Sequence, residues 1–333
     1  MKSRNKQIEG LRAIAILFVM FFHFFFRYQQ LYHAETYSIL GIRYWGNFGV
    51  GIFLMISTYF LSLMKSQKIL KILCSKIMRL WPAYFICIII IFGVLHVWPL
   101  PDRSVSITDL AFNIFMVNGY INIPYVDGAH WYIGVLLSLT VIFGVLANLN
   151  NTKKDIFMAI WVALDICLFS CMRLDGGIST VSRFLIGLVG NIYVPYALLG
   201  YCIACIEKGK PRVKYYIGIV IGMLGIYYMT NIGQTISVMC AMVVFIFALK
   251  QRIHFLENKG LICVGEASYC IYLIHQNIGY DILYSIEKQI GYYEIWQSFL
   301  VIILMVLIGI TLNVVIEKTI VPYVGNIVEK CRK

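Results

Sequence analysis

Ten times along this 333-residue chain an apolar stretch recurs that is long enough, or nearly so, to cross about 30 Å of hydrocarbon. The stretches lie near 8–26, 46–64, 82–98, 130–148, 156–172, 185–206, 214–230, 234–249, 267–284 and 297–317. No soluble core can bury so many. In a bilayer, each backbone N–H and C=O must find its partner within the protein, which leaves helices or closed barrels. Runs this long and this continuously apolar read as helices. The expected fold class is therefore all-α: a polytopic integral membrane protein of about ten transmembrane helices, a single domain over 1–333. Composition agrees, with 60% hydrophobic and only 13% charged residues, outside the range of soluble globular domains. The net charge of +12 invites a nucleic-acid reading, but the charges sit in short clusters between apolar runs, where topology signals belong. No nucleic-acid partner is expected.

Those clusters orient the chain. Of the 28 Lys and Arg, 21 fall in one set of alternating connections and six in the other, and Arg12 lies inside the first run. Cytoplasmic loops carry the excess of positive charge, so both termini are expected in the cytoplasm. The basic start resembles a signal peptide, but no small-x-small cleavage site follows, so 8–26 reads as an uncleaved span. The ten cysteines lie in apolar runs or on the cytoplasmic side, which argues against a disulfide framework. The longest outer loop, about 99–129, holds Pro99, Pro101, Asp102, Asp109 and Asp127, with a short helix expected over 108–117, capped by Ser106 or Thr108. No soluble domain is expected after the last span.

The first span carries Arg12 and His23. Eleven positions at about 100° each are roughly three turns, so both project from one face, about 16 Å apart along the axis. An ionisable group at membrane depth is costly and usually functional, with a partner expected. The plainer reading is an arginine snorkelling to the interface and a histidine bonded to a neighbouring helix. His130, Trp131 and Tyr132 open the fourth span, where an aromatic belt would serve equally well. Ser268, Tyr272 and His275 share the ninth span, where a packing histidine is the plainer reading. Lys76 and Arg79, three apart, share a helix face at the cytoplasmic mouth. With Arg12 they offer three cations to a phosphate-rich ligand. Asp165 is a lone intramembrane carboxylate. No metal-ligand or nucleotide-binding pattern appears in a usable context, so neither a metal nor a bound cofactor is expected.

These segments, in order, resemble the acyltransferase 3 family of bacterial integral-membrane O-acyltransferases. Ile8-Glu9-Gly10-Leu11-Arg12 through His23 resembles its first-helix signature. Phe48 to Phe53 with Ser57 to Phe60 is similar to its second-helix motif, and Lys76 to Tyr84 to its basic pair followed by Leu-aromatic-Pro-Ala-Tyr. His130-Trp131-Tyr132 and Ser268 to His275 resemble its later motifs. The resemblance implies a stand-alone member, without a fused extracytoplasmic hydrolase-like domain, in a bacterial inner membrane. It implies transfer of an acyl group, acetyl from acetyl-CoA by expectation, to a hydroxyl of a surface polysaccharide or lipid-linked sugar. Acyl-CoA would be a co-substrate, held by Arg12, Lys76 and Arg79. His23 would be general base, with His130, Trp131, Tyr132, Ser268, Tyr272 and His275 around the acceptor or orienting the site. A homo-oligomer is allowed, not required. From the residues alone, a transporter of a glycan or small solute is the alternative.

Overall fold

The structure is a computed structural model that describes residues 5–33, 41–174, 193–209 and 213–320. The described residues form eleven α-helices: α1 (Lys6–Tyr32), α2 (Trp45–Ser62), α3 (Ile69–Val97), α4 (Ile107–Ile114), α5 (Trp131–Ala147), α6 (Asn151–Leu174), α7 (Val194–Glu207), α8 (Val213–Met229), α9 (Ile232–Leu249), α10 (Lys259–Ile290) and α11 (Ile295–Leu312). No strand occurs among the described residues. A helix stands on each of the ten apolar stretches, and α4 is the short loop helix. Six, namely α1, α2, α3, α5, α9 and α11, are long and apolar enough to cross a membrane by themselves, whereas α7 and α8 are apolar but shorter. The part of the sixth stretch before Tyr193 lies outside the described residues.

The outward faces carry large apolar side chains at helical spacing. Val220 and Leu224 on α8, Met239, Val243 and Phe247 on α9, and Phe299, Ile303 and Leu307 on α11 are all exposed. Exposed apolar stripes on several helices suit lipid as the surrounding solvent. The protein is a polytopic membrane protein.

Two packed cores divide the interior, and α1 contributes to both. Ile16, Met20 and Phe24 face α3, α10 and α11, while Leu11 and Ala15 face α2, α7 and α9. Helices in lipid gain little from the hydrophobic effect and associate by close packing over small residues. Gly265 shows this: a Cβ there would sit 1.9 Å from the Glu9 carbonyl oxygen, so only glycine lets α10 cross α1 at that point. Gly49 allows α2 the same approach, with its would-be Cβ 2.3 Å from the Ala15 carbonyl oxygen.

Three helices depart most from the sequence expectation at their ends. α3 begins at Ile69 instead of 82, so Pro82 lies within a 29-residue helix and Lys76 and Arg79 stand on its first turns. α1 passes residue 26 and reaches Tyr32 through a π-helical turn at His23–Arg27. α10 extends beyond 267–284 at both ends, starting from an Asn258 side chain that accepts the Gly260 N–H and ending at the left-handed Gly291. The loop helix matches its cap: Ser106 and Asp109 form a capping box before Ile107–Ile114.

Candidate active site

His23 opens the π-helical turn of α1. Single π turns inside α-helices concentrate at functional sites. The α geometry persists up to His23, whose backbone N–H still bonds Val19 and Met20 carbonyls, so the eleven-residue spacing from Arg12 is kept. The His23 ring meets two side chains of α10. Its Nδ1 lies 2.9 Å from the Tyr280 hydroxyl oxygen, and its centroid lies 5.0 Å from that of His275, edge to face.

Only one tautomer of neutral His275 fits its surroundings. Nδ1 is 2.8 Å from the Tyr272 carbonyl oxygen and must donate to it, so Nε2 carries the lone pair. That nitrogen is buried and has no hydrogen-bond partner among the described residues. Ring contacts continue from His275 to Tyr272 at 6.2 Å. From Tyr272 they branch to Tyr132 at 5.9 Å and to His130 at 6.2 Å. The Tyr272 hydroxyl donates to the Ala129 carbonyl, and the Tyr132 hydroxyl pairs with Ser57 Oγ at 3.0 Å. His130 Nε2 donates to the Leu273 carbonyl at 2.8 Å, and its ring lies 5.2 Å from that of Tyr84.

A buried carboxylate organises this side of the site. Asp127 is fully inaccessible. Its Oδ1 accepts the Ala129 N–H at 2.8 Å and its Oδ2 accepts the Asn277 N–H at 2.9 Å. The Asn277 side chain donates in return to the Val126 carbonyl at 2.8 Å. The Asp127–His130 turn thus engages both the N–H of Asn277 and the carbonyl of Leu273, four residues apart on α10. Backbone donors of this kind satisfy a carboxylate away from water.

At the opposite end of α1 the cations gather. Lys76 lies within electrostatic reach of both Arg79 and Arg12. Arg12 is not simply waiting for a ligand: its guanidinium is 3.4 Å from the Glu9 carboxylate one turn earlier. A partial neutralisation of that kind holds the side chain in place without cancelling the positive end formed by all three.

Of the residues singled out in the sequence, the fold joins His23, His275, Tyr272, Tyr132 and His130 into one continuous set of rings. It collects Arg12, Lys76 and Arg79 elsewhere. Trp131 touches the set edge to face through Tyr132 at 5.9 Å and stacks on Tyr193 at 4.6 Å. Ser268 is buried on α10, with no hydrogen-bond partner for its hydroxyl among the described residues. No described hydrogen bond or ion pair joins Asp165 to any of the three histidines. Sequence reasoning missed Tyr280, Asp127 and Glu9 as partners. Asp127 had one legible signal, an acidic residue three positions before a histidine at a helix start.

Comparison with known families decides the broader identity: residues 5–317 match Acyl_transf_3, described as an acyltransferase domain. The chain belongs to this acyltransferase family. The match spans nearly the whole chain, including both ends of α1 and all of α10, so the histidine set and the cation cluster lie within it. No curated protein and no solved structure matches the chain.

Proposed function

We propose that this membrane acyltransferase carries an acyl group, acetyl from acetyl-CoA, from the cytoplasmic side of a bacterial inner membrane to a hydroxyl of a surface polysaccharide or lipid-linked sugar. The observation that carries the reading is His23, paired with Tyr280 of α10, on the helix that also bears Arg12. Arg12, Lys76 and Arg79 would hold the donor's phosphates, since cations at close quarters suit phosphate-rich anions. Extended along α1, the donor's arm would bring its thioester towards His23.

At that point the acceptor oxygen attacks the thioester carbonyl carbon. His23 Nε2 takes the hydroxyl proton as the new C–O bond forms. Collapse of the tetrahedral intermediate breaks the C–S bond, and His23 returns the proton to the departing sulfur. Nε2 can accept a proton only when Nδ1 bears the hydrogen and donates it to Tyr280. The Tyr280 hydroxyl therefore acts as a positioning group for the imidazole.

The test is acyl transfer by the purified full-length protein in lipid nanodiscs. His23→Ala should lower turnover by about 100- to 10,000-fold, the span of a lost general base, with the variant still folded. Full activity in that variant overturns the assignment. Solute flux without consumption of acyl-CoA would replace the enzyme reading with a transporter.

A further inference from the structure

Two more guanidinium groups stand at the end of α1 away from Arg12, and the reaction above makes no use of them. Arg27 closes the π-helical turn that His23 opens, so it lies one turn further out on nearly the same face. Arg103 belongs to the loop after α3. Its N–H bonds the Leu100 carbonyl at 3.2 Å, closing a turn with Pro101 and Asp102 at its centre. Asp102 has φ 57°, as the second central position of a type II turn requires, and aspartate enters that region more readily than most residues. The Tyr32 hydroxyl donates to the Pro101 carbonyl at 3.5 Å and ties the turn to α1.

An arginine in an outer loop is free to extend into water. Arg103 is instead half-buried, with its guanidinium carbon 5.8 Å from the centre of the Tyr280 ring. Gly128 marks where it meets a second polar group. A Cβ there would stand 3.0 Å from Gln276 Nε2, 3.3 Å from Arg103 Nη1 and 3.4 Å from Gln276 Oε1. The guanidinium and the amide therefore converge beside one bare stretch of backbone. Gln276 is 5% exposed, and its Oε1 has no hydrogen-bond partner among the described residues, an open position that calls for an explanation.

The charge here is not neutralised from within. Among the described residues neither Arg27 nor Arg103 forms an ion pair with a carboxylate. Asp127, next to Gly128, spends its two oxygens on the Ala129 and Asn277 N–H groups. Arg27 donates to the neutral Gln30 side chain at 3.1 Å. Both guanidinium groups lie within electrostatic reach of His23 and of Tyr280. An arginine held inside a membrane protein calls for a partner, and its planar fork matches an oxyanion such as phosphate. Arg27 lies just past the first apolar stretch and Arg103 just past the third, the depth at which a bilayer carries its phosphates.

We propose that Arg103, with Gln276 beside it and Arg27 adding charge, binds the phosphate that joins a lipid-linked sugar to its lipid, so that a hydroxyl of the attached sugar reaches His23. This rests on the reading of the protein as a glycan acyltransferase, and it selects the lipid-linked sugar over the finished polysaccharide as acceptor.

The experiment uses full-length protein in nanodiscs, labelled acetyl-CoA and two probes. One is the polyprenyl-diphosphate-linked glycan of the producing cells, cleared of O-acyl groups by mild alkali. The other is the same glycan released from lipid and diphosphate by mild acid. Arg103→Gln should raise the KM for the linked glycan about 10-fold or more, as expected for a lost hydrogen bond to a charged group. The KM for the released glycan and for acetyl-CoA should stay within about twofold, because neither uses that contact. Comparing variant with unaltered protein on each probe cancels the effect of the lipid anchor itself. Gln276→Glu places a carboxylate of the chain against Arg103 in the ligand's stead; it should give the same split, and it serves if Arg103→Gln does not fold. An equal rise for both glycans means that Arg103 meets the sugar or the catalytic pair and overturns the proposal. Unchanged values for both, as when ordinary lipid headgroups occupy the arginines, overturn it as well. If the unaltered protein acylates neither probe, the glycan acyltransferase reading itself fails and this inference with it.

Discussion

Tyr280→Phe isolates the role of a single hydroxyl. The substitution keeps the buried ring and its packing against Phe24 and Tyr28 and deletes the oxygen 2.9 Å from His23 Nδ1. A buried N–H that loses its acceptor costs about 1–3 kcal/mol. Either tautomer loses its partner at Nδ1, because the hydroxyl both donates and accepts, so the ring that bears its hydrogen on Nδ1 is no longer held in the orientation that aims Nε2. At about 1.4 kcal/mol per factor of ten, the population of correctly oriented imidazole falls by roughly 5- to 150-fold. Turnover should fall in proportion. The KM for acyl-CoA should hold, because the donor's phosphates are bound at the other end of α1. The assay is steady-state acyl transfer in nanodiscs, with turnover and KM for each substrate measured separately. A general loss of structure would lower thermal stability and disturb both constants, whereas a loss of orientation lowers turnover alone. Unchanged turnover in Tyr280→Phe would refute Tyr280 as the group that positions the base. A raised acyl-CoA KM with normal turnover would instead place Tyr280 in donor binding.

Two further outcomes follow from the same geometry. Asp127→Asn replaces a carboxylate that accepts from both Ala129 and Asn277 with an amide offering one acceptor oxygen, so one buried N–H faces an NH2 group; the loss should be about 1–3 kcal/mol, and an unchanged midpoint of thermal unfolding in detergent would refute it. Lys76→Ala combined with Arg79→Ala should raise the KM for acyl-CoA by about 10- to 100-fold, since hydrogen bonds to charged groups contribute about 1.5–3 kcal/mol; it should also flatten the salt dependence of that KM, and a KM and salt response equal to those of the unaltered protein would remove the pair from the donor site.

The class of fold was legible because it depends on composition along the chain. Apolar runs that long must be helical in lipid whatever they pack against, and a helix stands on every one of them. Loop chemistry was legible where it is local: of the two expected caps, Ser106 and Thr108, Ser106 is the one that opens the short helix. Helix ends were less so. The apolar pattern marks where a helix meets lipid, not where its hydrogen bonding stops, so α3 and α10 extend into polar sequence.

The functional residues divide along the same line. His23, His130, His275 and the cations Arg12, Lys76 and Arg79 stand out in the sequence because an ionisable group is conspicuous against an apolar background. Their partners do not. Tyr280 is one of 23 tyrosines, and nothing nearby in sequence shows that it faces His23 across 257 positions, or that Tyr272, itself a candidate, bonds the Ala129 carbonyl. Asp127 reads as one more loop acid until the fold places its carboxylate on the Asn277 N–H of α10. Which nitrogen of His130 and of His275 is free is likewise a tertiary matter, because it is fixed by the carbonyl opposite. By itself the sequence determined a helical membrane protein with cations and histidines at helical register. The crossing of α1 and α10, permitted by the missing side chain of Gly265, decided that His23, Tyr280 and His275 meet.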